Sequence, residues 1–476
     1  MAISIRKSFL IKGQEDFMVA GRAVPTHRLV GTLLCTWIGS GSLLAGAGLA
    51  ARVGFAELWM AAGAWIGIIL VFFLAARVRK IAEFTVPDIL ELRYNKWARI
   101  LGTLVIIIAY TTIVGYQFRG GGFVLNLIAD IPIEQGIIIT AVFIVTFTAF
   151  AGMLSIVSVD IINGAVITAA VLIAAPVVFF SIGGAEHLTA TLDPSHFQIF
   201  AGYNFLWAMG IFFPTFFLLL GESNMYQKFF SAKNEKSAKT AVIWWVIGTI
   251  IVETAIASLA IFANSHFNLV ETEKIILHTA RHSTEVGLPV IGGLLLICAA
   301  VAIITSTGNS FLLTPSTNLT RDIYQRFINP AADQKRIVFI QRTMVVALGV
   351  LAYLLLTQFE TVLAMALTAY TMVGAGLTPA LLAAFLWKRV TVAGGVASIA
   401  TGMGVTLFIT AANSILEGQL LSEQYIILPA ASMSIFVLIV VSLLTPPSPP
   451  EKWSRFYTTD TSLDEAIKEQ QTKALE

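Results

Sequence analysis

Six consecutive residues, Thr305-Ser306-Thr307-Gly308-Asn309-Ser310, interrupt an otherwise apolar run. Residues three and four apart share a helix face, so Ser306, Asn309 and Ser310 form one polar stripe bordered by Thr307. Neutral oxygens in a row supply part of a cage for a hard monovalent cation; back-bonding of the hydroxyls to their own helix is the alternative role. Asp160, in SIVSVDIINGAV, is a carboxylate near the start of a second apolar run. A charge there is costly and by default functional, and needs a partner. A cation held by the stripe is that partner, with simple solvation from the cytoplasm as the alternative. In a third run, Thr36-Trp37-Ile38-Gly39-Ser40-Gly41-Ser42 precedes Gly46 and Gly48. Glycines and hydroxyls at mid-run weaken a helix where freed carbonyls can bind a cation; close packing of small residues is the competing role.

Arg119, in YQFRGGGF, either grips a solute carboxylate bidentately or pairs with a structural acid, for which Glu253 is the obvious choice. Pro214, in GIFFPTF, is placed to break its run symmetrically to the glycine-rich one, or only to kink it. The pair His278/His282 lacks a third ligand and is not expected to hold a metal. No GxxxxGK[ST] phosphate loop, HExxH or nucleophile–base constellation occurs, so neither ATP-driven transport nor catalysis has support. Movement of a solute would draw on an ion gradient, and the chain is not expected to be an enzyme.

The elements that must position these residues follow from composition. Of 476 residues, 57% are apolar and 12% charged, against about 25% charged in a soluble protein, and mean hydropathy is +0.82. Apolar runs long enough to cross a hydrocarbon core recur along the chain. A cytosolic enzyme, a secreted disulfide scaffold, a nucleic-acid-binding protein and a disordered chain are excluded. Cys35 and Cys298 both lie in apolar runs, so no disulfide framework is implied. The polar start has no apolar core before a cleavage site, so no signal peptide is expected.

An all-α polytopic membrane protein of about twelve spans results, since only helices and closed barrels satisfy the backbone in lipid. Spans 1 to 12 are expected at 29–51, 55–76, 98–128, 133–152, 155–182, 204–221, 240–264, 287–319, 337–358, 361–387, 392–413 and 425–445. An even number puts both termini on one side. If that side is cytoplasmic, 26 of the 30 Lys and Arg fall inside, four of them in 228–239, which the positive-inside rule requires. A bacterial inner membrane with both termini cytoplasmic is the expected location. Spans 1–5 and 6–10 have opposite topology, a five-plus-five inverted repeat common among secondary transporters. The organisation is then a cytoplasmic segment 1–28, repeats 29–182 and 204–388, two further spans over 392–445, and a cytoplasmic tail 446–476 with a polar, helix-compatible end at 460–476. The outer loops 183–203 and 265–286 have room for short interfacial helices.

Five segments, in order and at the right spans, resemble the sodium/solute symporter family of bacterial proline, pantothenate, sialic acid and sugar symporters. They are EDFMVAGRAVP (15–25), FTVPDILELRY (84–94), LGESNMYQKFFSAKNEKSAK (220–239), TSTGNSFLLTPSTNLTRDIY (305–324) and GLTPALLAAFLWKRVTVAGG (376–395). The resemblance implies the leucine-transporter fold and sodium-coupled uptake. It places the principal sodium site on Thr36 and Gly39 of span 1 and on Ile303 (carbonyl), Ser306 and Thr307 of span 8. A second sodium would lie between Asp160 and Ser306, Asn309 and Ser310. Ser158-Val159 stand where the family often has Trp-Thr, and Glu222-Ser223 where Asp-Gln is commoner. Many members carry one more helix ahead of the EDF segment; the ten-helix core does not depend on it.

A family member with an arginine in span 3 uses it on a sialic acid carboxylate, so Arg119 implies an anionic or zwitterionic solute: an amino acid, monocarboxylate or sugar acid. The remaining lining is expected from Trp37, Ser40, Gln117, Phe213 and Thr215. Sodium is the expected coupling ion, the bilayer and a small solute the expected partners, and no nucleic acid or obligate protein partner is expected. Two other readings compete. A solute sensor would need a signalling domain, and the short tail has no room for one; a proton-coupled symporter would work through Asp160 or Glu253.

Overall fold

The computed structural model describes residues 14–81, 83–416 and 420–457. The expected polar end at 460–476 and the first cations of the N-terminal segment lie outside them. The described residues are helical throughout, with a single isolated bridge between Val24 and Ala232. Eleven helical stretches are long and apolar enough to cross a membrane.

Span 1 is absent from that set as a separate unit because it is broken. It runs as Thr26–Trp37, leaves helical geometry at Ile38 (φ −72°, ψ 92°), and resumes from Gly41 to Val53. Its second half then runs on with span 2 as Gly41–Ile81. Gly54, at φ +65°, turns the chain between them in a conformation that an L side chain rarely adopts. Gly152, at φ +61°, does the same between spans 4 (Ile133–Phe150) and 5 (Gly152–Ser181).

Three later spans are also interrupted. Span 6 is Phe205–Gly221 followed by Ser223–Ser231, with Glu222 extended between them. Span 8 is Val290–Asn318 and widens into a π-helical end, Leu319–Ile328. Span 10 is Val362–Gly376 and then Thr378–Leu386, with Pro379 in the first turn of the second half. The expected break at Pro214 does not occur: the helix passes through it, and the interruption lies further on at Glu222. The Thr215 hydroxyl next to it donates to the Phe212 carbonyl at 2.9 Å and to the Met60 carbonyl of span 2 at 2.7 Å, tying this part of span 6 to span 2. The outer loops do hold short helices, at Gly184–Thr191 and Ile275–Arg281.

Packing follows membrane logic. Large apolar side chains such as Phe73, Phe180 and Phe436 point outward, while Thr32, Gln117, Asp160, Asn309 and Asn318 are buried. Span 10 is the central helix, with 89% of its most apolar window buried, against 33% for the peripheral span 9 (Gln334–Leu356). Span 3 (Lys96–Ala129) packs against spans 4, 8 and 10, and span 7 (Glu235–Phe267) against spans 1, 2 and 5.

One end of the bundle is held shut by a charged clasp. The short helix Val86–Arg93 supplies Asp88 and Glu91, span 3 supplies Arg99, and the end of span 8 supplies Arg321, Asp322 and Arg326. Arg99 pairs with Asp88 and lies 2.9 Å from Glu91 and 3.6 Å from Asp322. Thr85 and Asn318 donate to the Asp322 carboxylate at 2.9 and 3.1 Å. On the same face Val24 and Ser231–Lys233 exchange backbone hydrogen bonds, and Gln227 donates to the Met18 carbonyl at 2.9 Å. Four of the five signature segments therefore meet here, as parts of one closure.

Candidate functional site

The unwound turn of span 1 faces the polar stripe of span 8. The Thr307 hydroxyl lies 3.2, 3.3 and 3.3 Å from the carbonyls of Cys35, Thr36 and Ile38. These carbonyls are free because the helix ends at Trp37, so local unwinding creates the oxygens that face Thr307. Gly39 has to be glycine at this crossing: a Cβ would stand 2.8 Å from the Thr307 methyl and 3.2 Å from the Gln117 amide nitrogen. Ile303 is fully buried one turn away on span 8.

Asp160 of span 5 closes the set from the side. Its carboxylate accepts from Ser306 and from Thr32, each at 2.5 Å, and its backbone carbonyl accepts from the Cys35 thiol at 2.9 Å. The rest of the stripe splits. Ser310 meets the Thr36 hydroxyl at 3.1 Å, whereas Asn309 accepts from Thr148 of span 4 at 2.9 Å and does not join Asp160. Of the expected second-sodium residues, Asp160 and Ser306 are in direct contact, Ser310 meets Thr36 instead, and Asn309 is committed elsewhere.

Lys228 is the residue that sequence reasoning misplaced. It counts among the inner-loop cations of 228–239, yet it is wholly buried on the second half of span 6. Its ammonium donates to the Thr36 hydroxyl and to the Thr32 carbonyl, the latter at 3.2 Å. A lysine set among Tyr226, Phe229 and Phe230 is the sequence signal, since a solvated loop cation has no need of aromatic neighbours.

The solute residues divide. Trp37 and Thr215 line a cavity of about 20 Å³ between spans 1, 2, 6, 7 and 10, together with Ser42, Glu57, Glu253 and Tyr370. A volume of that size holds about one water. Ser40 and Gln117 do not reach it; the Gln117 side-chain oxygen Oε1 accepts from the Ser40 hydroxyl at 2.7 Å and from the Ser40 backbone N–H at 3.1 Å, which fixes the unwound turn. Phe213 packs instead beside Ala375, Ile427 and Ala430.

Arg119 does not face this cavity, and Glu253 is not its partner. Its guanidinium donates to the carbonyls of Leu356, Phe359 and Glu360 at 2.9, 2.6 and 2.9 Å, tying span 3 to the loop between spans 9 and 10. Glu253 accepts instead from the indoles of Trp37 and Trp65, both at 2.8 Å, with the Ser42 hydroxyl at 3.4 Å. Above the cavity, at the end opposite the clasp, opens a vestibule of about 600 Å³ walled by residues including Arg52, Glu273, Lys274 and Glu360. His278 and His282 stack with centroids 4.3 Å apart, and no group of three metal-binding side chains occurs among the described residues.

An oxygen cage at a broken helix, beside a cavity enclosed by the spans, is the arrangement of a secondary transporter. The sequence matches the sodium:solute symporter family over residues 17–402. The chain belongs to that family. It is 28% identical to the high-affinity proline transporter PutP of Bacillus subtilis, over 80% of this chain and 84% of that one. It is 24% identical to a sodium/proline symporter of Staphylococcus aureus, covering 90% and 88%. Among solved structures it resembles a sodium-coupled sialic acid symporter, with a TM-score of 0.81 at 16% identity over 94% of this chain and 95% of that one. Mhp1, a nucleobase-cation-symport-1 family transporter, gives 0.59 at 14% identity, over 92% and 97%. The fold is that of the leucine transporter. The protein is a multi-pass sodium-coupled symporter of a small organic solute, not an enzyme, and sodium is its coupling ion.

Proposed function

We propose that this symporter carries a zwitterionic solute inward across a bacterial plasma membrane, with both termini cytoplasmic and the clasp on the cytoplasmic side. The positive-inside distribution of Lys and Arg supports that orientation. Sodium binds where span 1 unwinds, through the carbonyls of Thr36 and Gly39, the carbonyl of Ile303 and the hydroxyls of Ser306 and Thr307. Asp160, joined to that set through Ser306, supports a second sodium, with Ser310 as its further oxygen. The single observation that carries this assignment is the Thr307 hydroxyl set against three carbonyls of the unwound turn. Such a donor set of neutral oxygens plus one carboxylate fits a hard monovalent ion.

The solute sits in the cavity of Trp37, Thr215, Glu253 and Tyr370, and the bundle of spans 1, 2, 6 and 7 rocks around it. Of the two charge classes expected, the zwitterionic one has support: Arg119 is engaged elsewhere, and an acid rather than a base stands in the cavity wall. The similarity to proline transporters agrees with a solute that carries a protonated nitrogen. The test is the thermal midpoint of purified protein in sodium chloride against potassium chloride at equal concentration, since a ligand of the native state raises it. A higher midpoint in sodium that Thr307→Ala abolishes is the expected result. An equal midpoint in both salts removes the cation assignment.

A further inference from the structure

The cavity wall carries a second acid that the transport reading leaves unused. Glu57 stands where the chain enters span 2 (Leu58–Ile81), buried to 6% exposure, and lines the same cavity as Glu253. Among the described residues its carboxylate has no hydrogen bond and no ion pair, whereas Glu253 is held by two indoles. None of the cavity's lining side chains is basic. An ionisable side chain inside a membrane protein requires a partner, and here the protein provides none for Glu57.

We propose that Glu57 and Glu253 together form an ammonium subsite, so that the solute is recognised by a protonated primary or secondary amine. The N–H donors of that group bridge the two carboxylates, forming the charge-assisted bonds that are the strongest available at a buried site. Trp37 and Tyr370 add aromatic side chains to the same wall, and a ring face turned to the bound group favours a cation over a neutral one. The approach is charged to match. The vestibule is lined by Glu271, Glu273, Glu360 and Glu423 against Arg52 and Lys274, an acidic surplus that concentrates cations at its mouth. Span 1 is the thin partition between the two spaces. A Cβ on Gly48 would stand 2.8 Å from the Glu273 backbone, and one on Gly46 would stand 3.1 Å from the Glu57 carboxylate. The small cavity has to widen to admit a solute; at Gly46 and Gly48 span 1 packs closely against Glu57 on one side and Glu273 on the other, with no side chain of its own between the two acids.

The inference rests on the transport reading for its solute cavity, and one experiment separates the two. Thermal midpoints are measured in sodium and in potassium with L-proline, L-lysine, putrescine and ethanolamine. Matched probes without the charged amine are N-acetyl-L-proline, 1,4-butanediol and pyruvate. Stabilisation by at least one amine, and by none of the amine-free probes, supports the subsite. If that response is the same in both salts, the subsite stands and sodium coupling falls. Stabilisation by pyruvate or N-acetyl-L-proline, or by no amine in either salt, overturns the subsite. In Glu57→Gln, which breaks no bond within the protein, the half-saturating concentration of the active amine should rise roughly ten- to a hundredfold. The midpoint shift with sodium alone should persist in that variant. An unchanged amine response in Glu57→Gln overturns the pairing of the two acids.

Discussion

The buried ammonium of Lys228 rests on the hydroxyl of Thr36, at the rim of the oxygen set that faces span 8. A fixed cation from span 6 thus shares its oxygens with the site of the mobile one. Sodium arriving at Thr36 meets an ammonium that already holds that hydroxyl and the Thr32 carbonyl. Lys228→Met removes the competitor and keeps the stem, so it should lower the half-saturating sodium concentration about tenfold, the worth of one hydrogen bond to a charged group. Sodium titration of the thermal midpoint reads this directly. An unchanged or weaker sodium response would show that the lysine supports the site rather than competing for it.

Asp160 is expected to act in the opposite direction. Its carboxylate gathers Thr32 and Ser306 at 2.5 Å each, and its charge favours a cation alongside. Asp160→Asn keeps one acceptor and loses the charge, so the half-saturating sodium concentration should rise by tenfold or more, with a smaller rise in Ser306→Ala, at roughly 1 kcal/mol for a neutral hydrogen bond. Uptake into proteoliposomes as a function of external sodium measures both. Wild-type sodium dependence in the two variants would remove Asp160 from the coupling machinery.

Much of this site is legible in the sequence because membrane helices make polar residues conspicuous. The hydroxyl stripe of span 8, the glycine-rich turn of span 1 and the carboxylate of span 5 each stand out against apolar neighbours, and the fold brings all three together. Partners are less legible. Arg119 finds backbone carbonyls at the end of span 9, which no side-chain pattern announces. Lys228 lies at the end of an apolar run, where a charge count assigns it to the loop that follows. Pro214 reads as a break because its missing N–H is visible in the sequence, while the packing that keeps Phe205–Gly221 helical through it, including the Thr215 hydroxyl on the Met60 carbonyl of span 2, is visible only in three dimensions. The signature segments gave the family but not their purpose: the clasp joins residues from four distant stretches, and only the folded chain shows that they form one closure.

Arg119 offers a clean separation of structure from recognition. Its three carbonyl partners lie at 2.6 to 2.9 Å, and Arg119→Gln leaves at least two of them without a donor. The expected cost is about 1–2 kcal/mol of stability, since the acceptors range from buried at Leu356 to exposed at Glu360 and water replaces part of what is lost. Arg119→Lys should recover only part of it, because an ammonium cannot span the fork. The thermal midpoint should fall in both variants while the half-saturating solute concentration stays within about twofold of wild type. A selective loss of solute affinity at an unchanged midpoint would return the arginine to the binding site.

The clasp sets what its end of the bundle can do, and Cys35 is a native reporter of it. Asp322 is fully buried and holds Thr85, Asn318 and Arg99 from three different stretches of chain. Asp322→Asn takes the charge from under Arg99, and breaking a buried pair costs up to about 3–5 kcal/mol. The penalty is smaller here because Asp88 and Glu91 still face the guanidinium. The lost contacts bind the closed arrangement, so the variant should populate an arrangement in which solvent reaches the inner half of span 1. Cys35, buried against Asp160 there, should then react several-fold faster with a small charged thiol reagent, read in a Cys298→Ser background because Cys298 is exposed. Faster labelling that sodium suppresses would tie the clasp to the cation site across the length of span 1. A lower midpoint with unchanged labelling would instead make the clasp a fixed support that plays no part in opening.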